Sequence, residues 1–428
     1  MAEQPLKFET LAIHAGQEPD AAAGSRALPI HQTTSFVFPS AESAADRFAL
    51  AEAGPIYTRI TNPTQGAVED RIAALEGGAA GLLVASGQSA ITLAILNLAG
   101  AGDSVALSPS LYGGTFNLFK HTLSHLGITP QWVEDPTDPE SWRAAADDTT
   151  RAFFAETIPN PKHDILDIEA VAGVAHEIGV PLVVDNTVAT PYLLRPLEHG
   201  ADVVVHSATK FLGGHGTSIA GAIVDGGSFD FTARAQKYPQ FTQPDESYNG
   251  LVFSQVPAPF ATRARTNLLR DIGPAISPFN AFLIGQGLET LPLRMDRHLD
   301  NARAVAEFLE ADDRVQSVTW ASLDSSPYKQ LADRYLPRGA GSVLGFVLPG
   351  GIDAGRRFVD ALTLHSHVAN IGDVRSLVIH PASTTHSQLS EAEHRAAGIE
   401  PGFVRLSVGI EHIDDILADL ERGLAAAG

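Results

Sequence analysis

The sequence predicts an α/β fold in which a mostly parallel central sheet lies between helices, followed by a smaller α+β C-terminal domain. Two observations carry this expectation. Short, continuously apolar runs recur at Ala80–Ala85, Ser104–Leu107, Arg151–Ala155, Pro181–Val184, Asp202–Val205 and Ile219–Val224, with helical patterns between several of them, as at Ile168–Ile178. Strands without polar alternation are buried on both faces, and helices returning between them make neighbouring strands parallel. The rhythm then breaks after Gln255. Two long helical patterns, Pro278–Glu289 and Arg294–Glu310, lead to strand-like runs at Val315–Thr319, Ser342–Val347 and Val404–Val408 and to a final helix from Ile413.

In chain order, residues 1–60 mix short turns with polar stretches and show no sustained period, which predicts an arm rather than a domain. Gly66–Leu75 reads as a helix. The apolar run after it ends in Ser86-Gly87-Gln88, and a helical pattern over Ser89–Leu98 is stopped by Gly100 and Gly102. With a break expected in the 255–275 region, the chain divides into an arm (1–60), an α/β domain (61–262) and an α+β domain (263–428).

At 428 residues the chain exceeds one ordinary core, and 44% hydrophobic residues suffice for two. The net charge of −21 repels nucleic acid and anionic membranes, so an anionic ligand must meet a local cluster of donors. With no cysteine, disulfides, thiolate metal sites and cysteine nucleophiles are excluded. The first residues carry no apolar signal region, and no apolar run approaches the roughly 18 residues of a membrane helix. A cytoplasmic location is the expectation.

The most informative segment is Asp202-Val-Val-Val-His-Ser-Ala-Thr-Lys210-Phe-Leu-Gly-Gly-His-Gly216. A lone lysine is ordinarily a solvated surface charge. Lys210 alone among six lysines directly follows a β-branched strand, and a glycine-rich turn follows it at once. A lysine held rigidly, partly desolvated and crowded by small neighbours suits Schiff-base chemistry on a planar ring. Asp185 closes another buried run, where a carboxylate is costly unless paired; a protonated pyridine nitrogen is a suitable partner. The alternative for Asp185 is a cap on the next helix. Ser86, Gly87 and Gln88 form a strand-to-helix turn suited to a phosphate, with Ser207 and Thr209 adding hydroxyls on the same side. No lysine is followed by Ser or Thr, so no Walker loop competes.

These residues resemble the Cys/Met-metabolism group of fold-type I pyridoxal-phosphate enzymes. The resemblance covers nearly the whole chain and rests on six ordered motifs. Besides the lysine segment they are Tyr57-Thr-Arg59-Ile-Thr-Asn-Pro-Thr64, Ser86-Gly-Gln88, Leu111-Tyr112-Gly-Gly114, Glu156-Thr-Ile-Pro-Asn160-Pro161 and Val404-Arg405-Leu-Ser-Val-Gly-Ile-Glu411. It implies pyridoxal 5'-phosphate as cofactor, bound to Lys210. Tyr57 and Arg59 are implied to reach the phosphate of a neighbouring subunit in a tetramer built from dimers with shared sites. Tyr112 would stack on the ring and assist the leaving group, Asn160 would steady the ring hydroxyl, and Thr187 would press the opposite face. Arg405 would bind the substrate carboxylate with its two-pronged guanidinium.

Within the family, three stretches resemble the O-acetylhomoserine sulfhydrylase branch: Gln243–Gly250, the block from Thr266–Gly273 to Gly287–Arg294, and Val368–Asp373. Asn370 stands where cystathionine enzymes carry a serine that contacts substrate, so a different acceptor arrangement is expected around it. Asn249 departs from the branch, which has histidine there. The implied substrates are O-acetylhomoserine and sulfide, with Lys210 as the base for the Cα proton and homocysteine and acetate as products. Cystathionine γ-synthase, O-succinylhomoserine sulfhydrylase and γ-lyase activities share the same cofactor residues and stay open, as does a non-catalytic cofactor-binding regulator. His121 and His125 lack the acidic partner of a zinc motif, and no metal site is expected. His206 reads as a core residue, and His380 and His386 receive no catalytic role.

Overall fold

All six apolar runs of the first half become strands of one seven-stranded sheet. They are β1 (Ala80–Val84), β2 (Ser104–Leu107), β4 (Thr150–Glu156), β5 (Leu182–Asp185), β6 (Val203–His206) and β7 (Gly221–Asp225), with β3 (Thr129–Trp132) as the addition. The computed structural model describes residues 6–384 and 400–428, so the expectation at His386 lies outside the described residues. Sheet order is β1-β7-β6-β5-β4-β2-β3, and only β7 runs antiparallel to its neighbours. Strand β3 escaped the sequence reading because it lies at the sheet edge, is only partly buried and contains Pro130. Proline is tolerated there because an edge strand leaves one row of N–H groups unpaired.

Burial on both faces explains the unbroken apolar strands. Val183, Val203 and Val205 enter a cluster on one face with the helix Gly87–Leu98. Leu182, Val184 and Val204 enter the cluster on the other face with the helix Ile168–Ile178. The helix Pro63–Glu76 starts with Asn62 accepting the Thr64 N–H and with Pro63 in the first turn, and it stops at Gly77 in the left-handed region.

The second sheet contains β8 (Ser317–Thr319), β9 (Val343–Val347), β10 (Ser366–His367), β11 (Leu377–Ile379) and β12 (Phe403–Ser407), in the order β10-β11-β12-β9-β8. Helices Gly351–Ala361 and Ile413–Ala427 pack with it around a third cluster. Strands β10 and β11 are two and three residues long, too short to register as a period in the sequence. The helix Leu291–Glu310 touches both halves, contributing Met295 to the large-sheet core and Val305 to the small-sheet core.

Within residues 6–60 the chain forms two short helices, Phe8–His14 and Ala41–Phe48, and an isolated bridge pairs Ser35 with Tyr57. The segment leaves Val37 94% and Phe48 60% exposed, an unusual display for large apolar side chains. No described helix is long and apolar enough to cross a membrane.

Candidate active site

Strands β4, β5 and β6 run parallel, with Glu156 in register with Asp185 and Asp185 with Val205. Their carboxyl ends therefore open on one edge of the sheet, where α/β folds bind ligands. A cavity of about 270 Å³ lies there. Its lining brings together Ser86, Gly87, Gln88, Tyr112, Asn160, Asp185, Thr187, Ser207, Thr209 and Lys210 from the large-sheet half with Asn370 and Arg405 from the small-sheet half. Tyr57 and Arg59 do not line it. They sit together in the arm, with the Arg59 guanidinium 5.5 Å from the Tyr57 ring centre.

Asp185 and Lys210 face this cavity under opposite constraints. Asp185 Oδ1 accepts the Thr187 N–H at 2.9 Å and the Thr187 hydroxyl, whose oxygen in turn accepts the Ser207 N–H at 2.8 Å. Thr187 thus orients the carboxylate as well as lining the cavity. Burial pushes the Asp185 carboxyl up, the two Thr187 bonds pull it down, and among the described residues no ion pair compensates it. Burial, with a smaller push from the Arg405 charge, brings the Lys210 amine down to about 8. Desolvation disfavours the charged form of each.

Asn370 joins the two halves. Its side-chain oxygen accepts from Lys210 Nζ, and its backbone carbonyl accepts from Arg405 Nη2 at 2.9 Å. Arg405 Nη1 reaches Asn160 Oδ1 at 3.3 Å, while Nε is buried without a partner among the described residues. Burial lowers the guanidinium to about 10, and among the described residues no carboxylate pairs with it. A buried guanidinium beside a cavity has the charge and the donor geometry to bind an anion.

The turn at Ser86 also has the required shape. The Ser86 hydroxyl accepts the Ser89 N–H, leaving the first-turn N–H groups of Gly87 and Gln88 ahead of the helical hydrogen-bond ladder. A Cβ at Gly87 would stand 2.6 Å from Ser207 Cβ, so glycine alone lets this turn lie against the segment leading to Lys210. The Thr209 hydroxyl is already engaged, donating to the Ala220 carbonyl at 3.1 Å. The Ser207 hydroxyl has no partner among the described residues.

Sequence reasoning assigned no role to Glu156, yet it lines the cavity beside Asp185. Its Oε1 accepts the Tyr112 N–H at 2.7 Å, fixing the start of the loop that presents the half-exposed Tyr112 ring. Burial, and then the neighbouring Asp185 charge, push the Glu156 carboxyl well above the usual range. The signal was present, since Glu156 ends an apolar strand as Asp185 does.

The chain matches the Cys/Met metabolism PLP-dependent enzymes over residues 9–425. It belongs to that family. It is 54% identical to the O-acetyl-L-homoserine sulfhydrylase of Leptospira meyeri, over 98% of this chain and 97% of that one. The Corynebacterium glutamicum O-acetyl-L-homoserine sulfhydrylase is 54% identical over the same shares. A homocysteine synthase of Schizosaccharomyces pombe is 49% identical over 98% of each. A crystal structure from Campylobacter jejuni, described as an O-acetylhomoserine (thiol)-lyase and bearing a pyridoxyl-lysine monophosphate, superposes with a TM-score of 0.95. It is 41% identical and covers 98% of this chain and all of that one. The family's cofactor, pyridoxal 5'-phosphate, fits the residues present. The buried Asp185 forms no ion pair among the described residues, Lys210 offers a partly desolvated amine, and the Gly87 turn offers N–H donors to a dianion.

Proposed function

We propose that this enzyme replaces the acetate of O-acetylhomoserine with sulfide, giving homocysteine. The observation that carries the reading is full-length identity near 54% to two sulfhydrylases of that name, joined to a cavity lined by an amine, a buried guanidinium and a buried carboxylate. In the net reaction the Cγ–O bond breaks with its electron pair leaving on acetate, and a C–S bond forms at the same carbon. The bound cofactor supplies an electron sink for charge developing at Cα.

The protein residues divide the remaining work. Lys210 holds the cofactor and, once released, takes the Cα proton; an amine near 8 is well matched to that task at neutral pH. Asp185 partners the ring nitrogen, held in aim by Thr187. Gly87 and Gln88 backbone groups and the Ser207 hydroxyl bind the phosphate, with Thr209 bracing the strand beside them and Ser86 capping the helix. Arg405 binds the substrate carboxylate, and Asn160 steadies both the Arg405 side chain and the ring hydroxyl. Tyr112 stacks on the ring and assists departure of the leaving group. Asn370 keeps the freed Lys210 amine near Arg405, hence near the Cα of an anchored amino acid.

The arm completes the assembly. Tyr57 and Arg59 are read as serving the phosphate of a neighbouring subunit in a tetramer of dimers, supported by their absence from the lining of their own cavity and by the exposed apolar side chains Val37 and Phe48 in the same arm. Residues 61–262 and 263–428 are read as the two domains, each containing one sheet. We place the enzyme in the cytoplasm, where small metabolite substrates are at hand. Inactive Arg59→Ala and Lys210→Ala chains, mixed under conditions of subunit exchange, should regain activity in hybrids; no recovery would place Arg59 in its own chain's site.

The reaction is tested by measuring homocysteine, cystathionine and 2-oxobutanoate together from O-acetylhomoserine, with sulfide, with cysteine and with neither. Homocysteine should dominate with sulfide, and cysteine should be a poor acceptor. Dominant cystathionine would make the enzyme a γ-synthase, and dominant 2-oxobutanoate in saturating sulfide a lyase.

A further inference from the structure

The helix Leu291–Glu310 carries three buried polar side chains at Arg294, His298 and Asn301, spaced so that all three lie on one face. Buried polar groups in a helix between two cores are costly unless each has a partner. Apart from local bonds of Arg294 to Thr290 Oγ1 and the Gly287 carbonyl, their partners are backbone carbonyls from two distant segments. Arg294 donates to the carbonyls of Phe211 at 2.7 Å and Leu212 at 3.4 Å, the residues directly after Lys210, and to Gly287 at 2.6 Å. No carboxylate pairs with Arg294 among the described residues, and burial lowers its guanidinium to about 10. His298 Nδ1 donates to the Val408 carbonyl at 2.7 Å. Asn301 donates to the carbonyls of Gly409 at 2.9 Å and Glu411 at 3.0 Å. Val408 and Gly409 directly follow the strand bearing Arg405.

Each end of this face is thus fixed to backbone next to one working residue of the cavity. The fit is close: a Cβ at Gly214, where φ is +73°, would stand 2.1 Å from Arg294 Nη1. The His298 ring also packs edge-on to Phe211 at 5.4 Å, so the middle residue touches both segments. The helix is continuous over these two turns.

We propose that Arg294, His298 and Asn301 are positioning residues that set the distance between the Lys210 amine and the Arg405 guanidinium. The inference rests on the proposed roles of those two residues. A Cα anchored through its carboxylate at Arg405 presents its hydrogen to Lys210 only at one separation, and misplacement by about 1 Å costs on the order of a hundredfold in rate. The two ends of the helix face have different consequences. Loosening the Arg294 end moves the base; loosening the Asn301 end moves the anchor.

The test uses the holoenzyme and L-2-aminobutanoate, which has a carboxylate and an α-hydrogen but no leaving group. Exchange of its α-hydrogen for solvent deuterium reads the Lys210-to-Cα geometry whatever the second substrate is. Arg294→Met should lower the saturated exchange rate on the order of a hundredfold, and Arg294→Lys, which can still donate to carbonyls, should recover most of it. Asn301→Ala should instead raise the half-saturating concentration, on the order of tenfold, with a smaller change in saturated rate. In the cofactor-free chain, amide hydrogen exchange should quicken around 211–214 in the first variant and around 408–411 in Asn301→Ala. If Arg294→Met does not fold, Asn301→Ala decides alone. Variants that melt earlier but exchange like wild type per folded molecule would reduce the face to a structural role and overturn the proposal. A wild-type enzyme that exchanges nothing would overturn it too. Failure of the sulfhydrylase reading would look different: no homocysteine from wild type, with α-exchange and its response to both variants intact.

Discussion

The two halves of the cavity are built by different means. On the large-sheet side, Glu156, Asp185 and Lys210 sit at or just past the ends of adjacent parallel strands, so chain direction alone carries them to one edge. On the small-sheet side, Arg405 lies within β12, paired to β9 and β11, and Asn370 lies in a loop. Neither reaches the cavity by ending a strand. They arrive because the small-sheet half packs against the large-sheet half, with the helix Leu291–Glu310 contributing to both cores. The lesson is that the strand-end side, proposed to hold the cofactor, is fixed by topology, and the other side, proposed to hold the substrate, by packing. Changes on the first side should therefore strike chemistry, and changes on the second should strike affinity and geometry.

The largest expected effects lie on the strand-end side. Lys210→Ala should abolish covalent attachment of the cofactor and lower turnover by at least about 10³-fold, combining loss of the attachment point with loss of the general base. Borohydride reduction and peptide mapping of the wild type should find the label on Lys210; a label on another lysine would break the comparison at its base. Asp185→Asn should retain part of the cofactor binding yet lose turnover by about 10²-fold or more, because a neutral ring nitrogen is a weak electron sink. Near-normal turnover in that variant would remove Asp185 from the chemistry.

On the packed side, Arg405→Lys should act chiefly through KM. A lysine keeps the charge but loses the second prong and the contacts to Asn160 and the Asn370 carbonyl. Losing one charge-assisted hydrogen bond costs about 1.5–3 kcal/mol, a rise in KM of roughly 10- to 150-fold. A fall in kcat with KM unchanged would assign Arg405 to the chemical step and erase the distinction between the halves.

The same contrast explains what could be read from the sequence. Lys210 and Asp185 were singled out from the residues themselves, each against a bland alternative, because both follow buried apolar runs, and the structure brings both to one cavity. Arg405 and Asn370 were legible only through resemblance, since an arginine inside a strand or an asparagine in a loop looks like surface until its neighbours are known. Strands β3, β10 and β11 left no period, one because Pro130 interrupts an edge strand and two because they are so short. The Arg294, His298 and Asn301 face was hidden for another reason. Its long-range partners are backbone carbonyls more than eighty residues away, and backbone leaves no mark in side-chain pattern. Asn249, which departs from the branch pattern, occupies the left-handed region at φ +53°, a conformation asparagine tolerates better than most residues.

The smallest effect expected is at Glu156, and it sharpens the comparison because a carboxyl at a strand end can be structural rather than chemical. Glu156 accepts the Tyr112 N–H, and its carboxyl is pushed well above the usual range by burial and by Asp185. Of two acids side by side, Asp185 has two Thr187 donors that favour its charged form, and the Asp185 charge in turn disfavours a charge on Glu156. Glu156→Gln keeps a neutral acceptor of the same length, and kcat should stay within about threefold of wild type. Glu156→Ala leaves the Tyr112 N–H unsatisfied at a cost of about 1–3 kcal/mol and should disturb the Tyr112 loop. The pH dependence of stability follows from the same shift. An acid whose folded pKa is raised contributes fully below its unfolded value, here near 4.5, and loses that contribution as pH rises toward the folded value. The glutamine variant does not titrate. Its melting temperature relative to wild type should therefore increase steadily as pH rises above about 4.5 and level off once the folded Glu156 ionises. Measured on the cofactor-free chain, a difference that instead shrinks with rising pH would mean that Glu156 is held as a carboxylate. It would then belong with Asp185 among the charged groups of the cavity rather than among those that shape it.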